Sequence, residues 1–265
     1  MAMREATDLP TGTAKERFVR RLFGDIAPTY DIMNIVLSGG FIHLWHRAFQ
    51  RHTGLGPGHT ALDVCTGTGD LAAILARQVR PDGRVSGLDF TPEMLDLARL
   101  KMRRRRLSDS VDLVEGNALD LPYPDGAFQA ASLGFALRNV SNIPRVIGEM
   151  ARVVRPGGRV LNLELSKPAA AAVRLPYLFY FYRLVPLLGR LLDRRAGQLG
   201  SVRPYTYLPA SLVRFPDPDE IARVFREAGL VNVRYYPLTG GIVTLHVGEK
   251  PGCPPLGRKA DHRRE

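Results

Sequence analysis

Cysteine is nearly missing from this chain of 265 residues: Cys65 and Cys253 are the only two, far apart and outside any CxxC pair. That excludes a disulfide scaffold and a cysteine-based structural zinc site, and it predicts a reducing, cytoplasmic compartment. Apolar runs of membrane-spanning length are missing too. The nearest, residues 173–192, carries Arg174, Arg183 and Arg190 together with Pro176 and Pro186. Each arginine near a bilayer centre would cost about 2.5–3.5 kcal/mol, so this is not a spanning helix. The first residues, MAMREATDLPTGTAKERF, have no apolar core of signal-peptide type, so secretion is not expected. Lysine is scarce as well, since only Lys15, Lys101, Lys167, Lys250 and Lys259 interrupt a basic set of 37 that is otherwise arginine. Against 26 acidic residues the net charge is +11, which makes nucleic acid or an anionic membrane surface candidate partners. Hydrophobic residues at 45% and charged residues at 24% lie near soluble averages and exclude wholesale disorder.

What is present alternates. From about residue 59 to 167, strand-length apolar runs (TALDVC, RVSGLDF, VDLVEG, FQAASLGF, RVLNLEL) are separated by helical periodicity near residues 71–78, 92–104 and 142–154. This is the pattern of parallel βαβ units, so the fold class is α/β, a doubly wound Rossmann-like sheet with helices on both faces. Amphipathic stretches at residues 16–23 and 44–53 precede it. A helix near 219–227 follows, and then VNVRYYPL and IVTLHVG form a hairpin around Thr239-Gly240-Gly241, whose pairing is antiparallel. The division expected is a flexible leader over 1–13, one domain over 14–250 with a helical cap (14–55) and a substrate-side insertion (168–215), and a disordered basic tail over 251–265.

Chemistry is concentrated in the turn after the first strand, Asp63-Val-Cys-Thr-Gly67-Thr68-Gly69-Asp70-Leu-Ala72. Glycines there permit a tight turn and a close approach of backbone to a ligand. Gly67-x-Gly69-x-x-Ala72 with Asp89 20 positions after Gly69 meets the minimal dinucleotide fingerprint, a weak signal by itself. A second parsing uses more of the chain. Asp63 inside strand one, Asp70 after the glycines, Asp89 ending strand two, Asn117-Ala118 after strand three and RPGGR before strand five together resemble the class I S-adenosylmethionine-dependent methyltransferases. Carboxylates near the turn suit a cationic sulfonium and ammonium better than a pyrophosphate.

Beyond those motifs the chain resembles the menaquinone/ubiquinone biosynthesis C-methyltransferases from about Val19 to Lys250. The segments that carry the resemblance are FGDIAPTYDIMNIVLSGG, LDVCTGTGDLA, GLDFTPEML, EGNALDLPYPDGAF, LGFALRNV, VVRPGGRVLNLELSKP, YTYLPASLVRFP and TGGIVTLHVGEK. The sequence departs from that pattern at Cys65, where general methyltransferases often have glycine, at Gly134, where some members have serine, and in a longer DRRAGQLGSVRP segment.

The resemblance implies a seven-stranded sheet with an antiparallel last strand, S-adenosyl-L-methionine as cofactor, and a lipophilic polyprenyl quinol as substrate, demethylmenaquinol being converted to menaquinol without a metal. A benzoquinol of the ubiquinone pathway and RNA are the alternative substrates, although no Asn/Asp-Pro-Pro-Tyr element and no Pro-Cys nucleophile is present. Gly67, Thr68 and Gly69 would line the methionine end of the cofactor, Asp89 would accept from the ribose hydroxyls, Asn117 and Ala118 would meet the adenine, and Asp63 would assist. Arg138 would stabilise the developing phenolate and Asn139 would orient the ring, with Tyr30, Asp31 and His246 as candidate bases. The aromatic and leucine-rich segment 173–192 would accept the prenyl tail or rest on an anionic membrane surface, and a homo-oligomer is open.

Overall fold

A computed structural model of the chain describes residues 10–180, 183 and 204–252. Most of the expected leader, the tail from Cys253 onward, most of DRRAGQLGSVRP and the greater part of 181–203 lie outside the described residues.

The sheet has seven strands: β1 (Thr60–Val64), β2 (Arg84–Asp89), β3 (Val111–Glu115), β4 (Phe128–Gly134), β5 (Val154–Leu165), β6 (Val231–Leu238) and β7 (Val243–Glu249), in the order β3-β2-β1-β4-β5-β7-β6. The first five are mutually parallel, and β7 runs antiparallel to both β5 and β6. The order reverses between β1 and β4, and the crevice beyond the carboxyl ends of these strands is where ligands of open α/β sheets gather.

The helices are α1 (Gly12–Ile26), α2 (Tyr30–Leu37), α3 (Ile42–His52), α4 (Asp70–Val79), α5 (Pro92–Arg104), α6 (Ile143–Val153), α7 (Ala171–Phe179), α8 (Pro204–Arg214) and α9 (Pro218–Glu227). Their starts follow local chemistry. Asn142 caps α6 by accepting from the Arg145 N–H, and Asp217 and Glu220 form a capping box at α9. Proline in the first turn of α5, α6 and α9 costs no intrahelical hydrogen bond.

Because a parallel strand is covered on both faces, its neighbouring residues serve opposite cores. Ala61 and Ala130 pack with Leu75, Trp45 and Phe49 under α3 and α4, whereas Leu62 and Ala131 pack with Ile147, Met150 and Phe225 under α6 and α9.

Three expectations are corrected. The first helix begins at Gly12, inside the expected leader, because the Thr11 carbonyl already accepts from Lys15 N and Val19, Leu22 and Ile26 are buried along one stripe. Residues 30–37, given no element from periodicity, form α2; Met33 is its only buried residue, so no apolar stripe announces it. RPGGR does not precede β5 but belongs to it. Val154 pairs with Phe128, and a register shift between Phe128 and Ala130 absorbs the proline and glycines.

Candidate functional site

The turn after β1 is built around a left-handed backbone. Cys65 lies at φ 54°, an uncommon conformation for a residue with a Cβ, which accounts for the glycine usual at this place in methyltransferases. Gly69, at φ 82°, stands at the N-terminal cap of α4, and a Cβ there would fall 2.7 Å from Met102 Cε. The angle favours glycine, and a Cβ would also have to displace the Met102 methyl.

Asp89 fastens this turn to β2. Its Oδ2 accepts from Gly67 N at 2.8 Å and its Oδ1 from Thr91 N at 2.9 Å, ahead of α5. Burial pushes the carboxyl up, and the two backbone donors act against that. Asp63 sits beneath the turn, where Thr66 and Ser132 hydroxyls each donate to it at 2.7 Å. Burial raises it to about 6. It is not among the residues that face the cavity described next.

That cavity, about 700 Å³, is lined by Gly67, Asp89, Asn117, Ala118, Gly134 and Asn139 among others. Asn117 Oδ1 accepts from Leu119 N at 3.0 Å, which bends the chain after β3 and leaves Ala118 at the wall. Asn139 is 5% exposed, and neither of its amide atoms has a partner in the protein. A buried amide with nothing to bond is costly, so this one is fitted to receive a polar ligand. Thr68 and Gly69 stand just outside the wall. Thr68 Oγ1 donates to Asp31 at 2.6 Å and accepts from Lys101 Nζ at 2.9 Å, which ties the turn to α2.

A second cavity, about 920 Å³, lies between α1, α2, α3 and the later helices, with walls that include Leu22, Met33, Trp45, Leu165 and Tyr177. Phe23, Tyr30 and Phe135 line both cavities. Phe135 holds φ 57°, another left-handed position without glycine, and its ring packs 6.0 Å from that of Trp45. Arg138 is the one ionised side chain among the described residues lining this second cavity. Its Nη1 donates to Glu164 Oε1 at 2.5 Å and to the Phe135 carbonyl at 2.6 Å, while its Nε is buried without a partner.

The candidate bases separate. Tyr30 faces both cavities, but burial pushes its phenol up, so it remains protonated at neutral pH. Asp31 is paired with Lys101 at 2.7 Å. His246 lies outside both cavities, against Phe225 and Tyr235, with Nε2 donating to the Pro218 carbonyl at 2.9 Å; burial lowers it to about 4. None of the three is set up as a free base facing the second cavity. Glu164 and Tyr207 are site residues without a motif of their own; the only signals for them in the sequence are a carboxylate inside the apolar run RVLNLEL and a tyrosine in YTYLPASLVRFP.

With this geometry in place, comparison with known proteins decides the family. The profile described as the ubiE/COQ5 methyltransferase family matches residues 11–250. The chain belongs to that family. Demethylmenaquinone methyltransferase of Symbiobacterium thermophilum is 44% identical over 241 residues, covering 91% of this chain and 96% of that protein. Its counterpart in Geobacillus kaustophilus is 42% identical over 237 residues, covering 89% and 98%. Among solved structures, a SAM-dependent methyltransferase from Aquifex aeolicus superposes with a TM-score of 0.54 at 19% identity, over 77% of this chain and 88% of that one. The [4+2]-cyclase SpnF does so with 0.57 at 19% identity, over 89% and 96%. A fold shared by a cyclase and a methyltransferase does not fix a reaction. The family match does: this is a methyltransferase, and its cofactor is S-adenosyl-L-methionine. The first cavity suits that cofactor, with an unpartnered buried amide at Asn139, a carboxylate at Asp89 and open space beside Gly67.

Proposed function

We propose that this methyltransferase methylates a ring carbon of a polyprenylated quinol and converts demethylmenaquinol to menaquinol. The observation that carries the reading is the contact between the two cavities. The second is lined mainly by apolar side chains and shares Phe23, Tyr30 and Phe135 with the first, so a lipophilic ring in one would lie beside a cofactor in the other. The names of the relatives from S. thermophilum and G. kaustophilus support the same substrate.

When bound, S-adenosyl-L-methionine supplies an electrophilic methyl group. The remaining work belongs to the protein. Asp89 receives the ribose hydroxyls, Asn117 and Ala118 border the adenine, and Asn139 gives its free amide to a polar group in the first cavity. Arg138, anchored by Glu164, sets positive charge beside a ring oxygen and favours its ionised form, the hydroxyl proton leaving to water; that charge flows into the ring as the adjacent carbon takes the methyl and the methyl–sulfur bond breaks, and the ring proton then leaves to water as aromaticity returns. Tyr30, protonated and shared by both cavities, donates to the same region. Holding carbon, methyl and sulfur in line is the main source of rate.

Contact with an anionic membrane surface is part of this reading. Ile32, Phe41, Leu44, Leu175 and Phe179 are exposed, and the Tyr180 hydroxyl donates to the Leu37 carbonyl at 3.0 Å, joining the end of α7 to the end of α2 beside the second cavity. Exposed apolar groups on α2, α3 and α7 are suited to lipid. No helix among the described residues is long and apolar enough to cross a membrane.

The deciding experiment incubates the purified protein with labelled S-adenosyl-L-methionine and chemically reduced demethylmenaquinone, beside the oxidised quinone and total RNA. Label in the reduced quinol alone is expected. Label in RNA, or in none of the three, overturns the reading.

A further inference from the structure

One buried hydroxyl of the second cavity has no structural work to do. Tyr207, on α8, is 4% exposed and packs with Val19 and Leu22, its ring 5.3 Å from that of Phe18. Those contacts are apolar, and a phenylalanine would make all of them. The hydroxyl itself is buried and has no hydrogen-bond partner in the protein. A buried O–H without an acceptor is destabilising, and tyrosine is used in such places where something arrives to receive it.

What arrives is constrained by the neighbours. Tyr207 lines the second cavity with Arg138, and the two are near enough for the arginine's charge to bear on the phenol. Arg138 Nε is likewise buried without a partner. An apolar chamber thus holds two unsatisfied donors, which matches a flat apolar ring bearing two oxygens. Resting on the quinol reading above, we propose that the Tyr207 hydroxyl donates a hydrogen bond to one ring oxygen of the quinol, while Arg138 serves the other, so that the pair sets which ring carbon faces the methyl group. Burial raises the Tyr207 phenol to about 12, so it stays a donor throughout catalysis and takes no proton from the substrate.

The test is Tyr207→Phe, which keeps the ring and removes only the oxygen. Expected is a fall of about tenfold or more in kcat/KM for reduced demethylmenaquinone, with the dissociation constant for S-adenosyl-L-methionine unchanged and the unfolding midpoint unchanged or raised. A merely structural tyrosine would lower the midpoint instead. Two prenylated naphthols, each lacking one of the two oxygens, then serve as competitive ligands. The preference of wild type over Tyr207→Phe is expected to persist for one naphthol and to vanish for the other. A variant within about twofold of wild type on the quinol, or an equal preference for both naphthols, overturns the assignment. If wild type methylates no quinol at all, the quinol reading falls and this assignment with it; loss confined to the variant leaves that reading standing.

Discussion

Arg138 and Glu164 form an ion pair at 2.5 Å in which the arginine side chain is 7% exposed and the glutamate 1%. The glutamate also accepts from the backbone N–H groups of Arg138 at 3.2 Å and Leu165 at 2.9 Å, so it fixes both the arginine and the turn that carries it. Removing one partner of a buried pair leaves an uncompensated charge.

Glu164→Ala is therefore expected to lower stability by about 3–5 kcal/mol in urea unfolding, far beyond the effect of an exposed substitution. Glu164→Gln, which keeps one acceptor oxygen but turns an amide NH2 toward one of the two backbone donors, should retain more of the fold than Glu164→Ala while reducing turnover on the quinol. If Glu164→Ala unfolds within about 1 kcal/mol of wild type, the pair does not anchor the site.

How much of this was legible in the sequence depends on range. α5 was read with its observed bounds because Pro92 starts it and a basic run ends it. The five parallel strands were read because burial on both faces leaves nearly continuous apolar runs. α2 went unread for the opposite reason: Ile32, Ile35 and Val36 are exposed, so its apolar residues do not mark a core stripe. The roles of Asp63 and His246 depended on which way a strand residue points and what covers it, which alternation alone does not decide. Arg138 and Glu164 are 26 positions apart and meet because β4 and β5 are neighbours; that contact belongs to the topology and to no local motif.

Asp63 and His246 are expected to give opposite pH dependences that mask one another. Asp63 is raised in the fold to about 6 from an ordinary 3.8, so its contribution is full below pH 3.8 and is lost as pH rises through 6. His246 is lowered to about 4 from 6.5, so its contribution is present above pH 6.5 and is lost as pH falls through 4. Each effect is on the order of 3 kcal/mol. Relative to wild type, Asp63→Asn should lose stability more steeply on acidification between pH 6 and 4, and His246→Gln should do the reverse. Because His246 lies outside both cavities, His246→Gln should also leave methyl transfer intact; a collapse of turnover in a folded variant would return it to the list of bases. Urea midpoints at several pH values check the first claim and a labelled-methyl assay the second.

Lys101 holds the cap to the cofactor turn. Its Nζ lies 2.7 Å from Asp31 on α2, 2.9 Å from Asp70 at the start of α4 and 2.9 Å from the Thr68 hydroxyl, with only 13% of the side chain exposed. Burial pushes the Asp70 carboxyl up, but Lys101 and Arg105 outweigh it and hold the group below its ordinary value. Lys101→Met keeps the length of the side chain and deletes the charge, so Asp31 and Asp70 lose their shared partner and Thr68 loses a donor. The expected result is about tenfold weaker binding of S-adenosyl-L-methionine by calorimetry, since the turn that presents Gly67 and Asp89 is no longer held from outside. Lys101→Arg should recover part of that loss, because a guanidinium can still reach two carboxylates but does not match the three-way geometry of an ammonium. Partial burial predicts that the affinity of wild type depends only weakly on salt. Unchanged affinity in Lys101→Met would show that the turn is fixed by Asp89 and Asp63 alone.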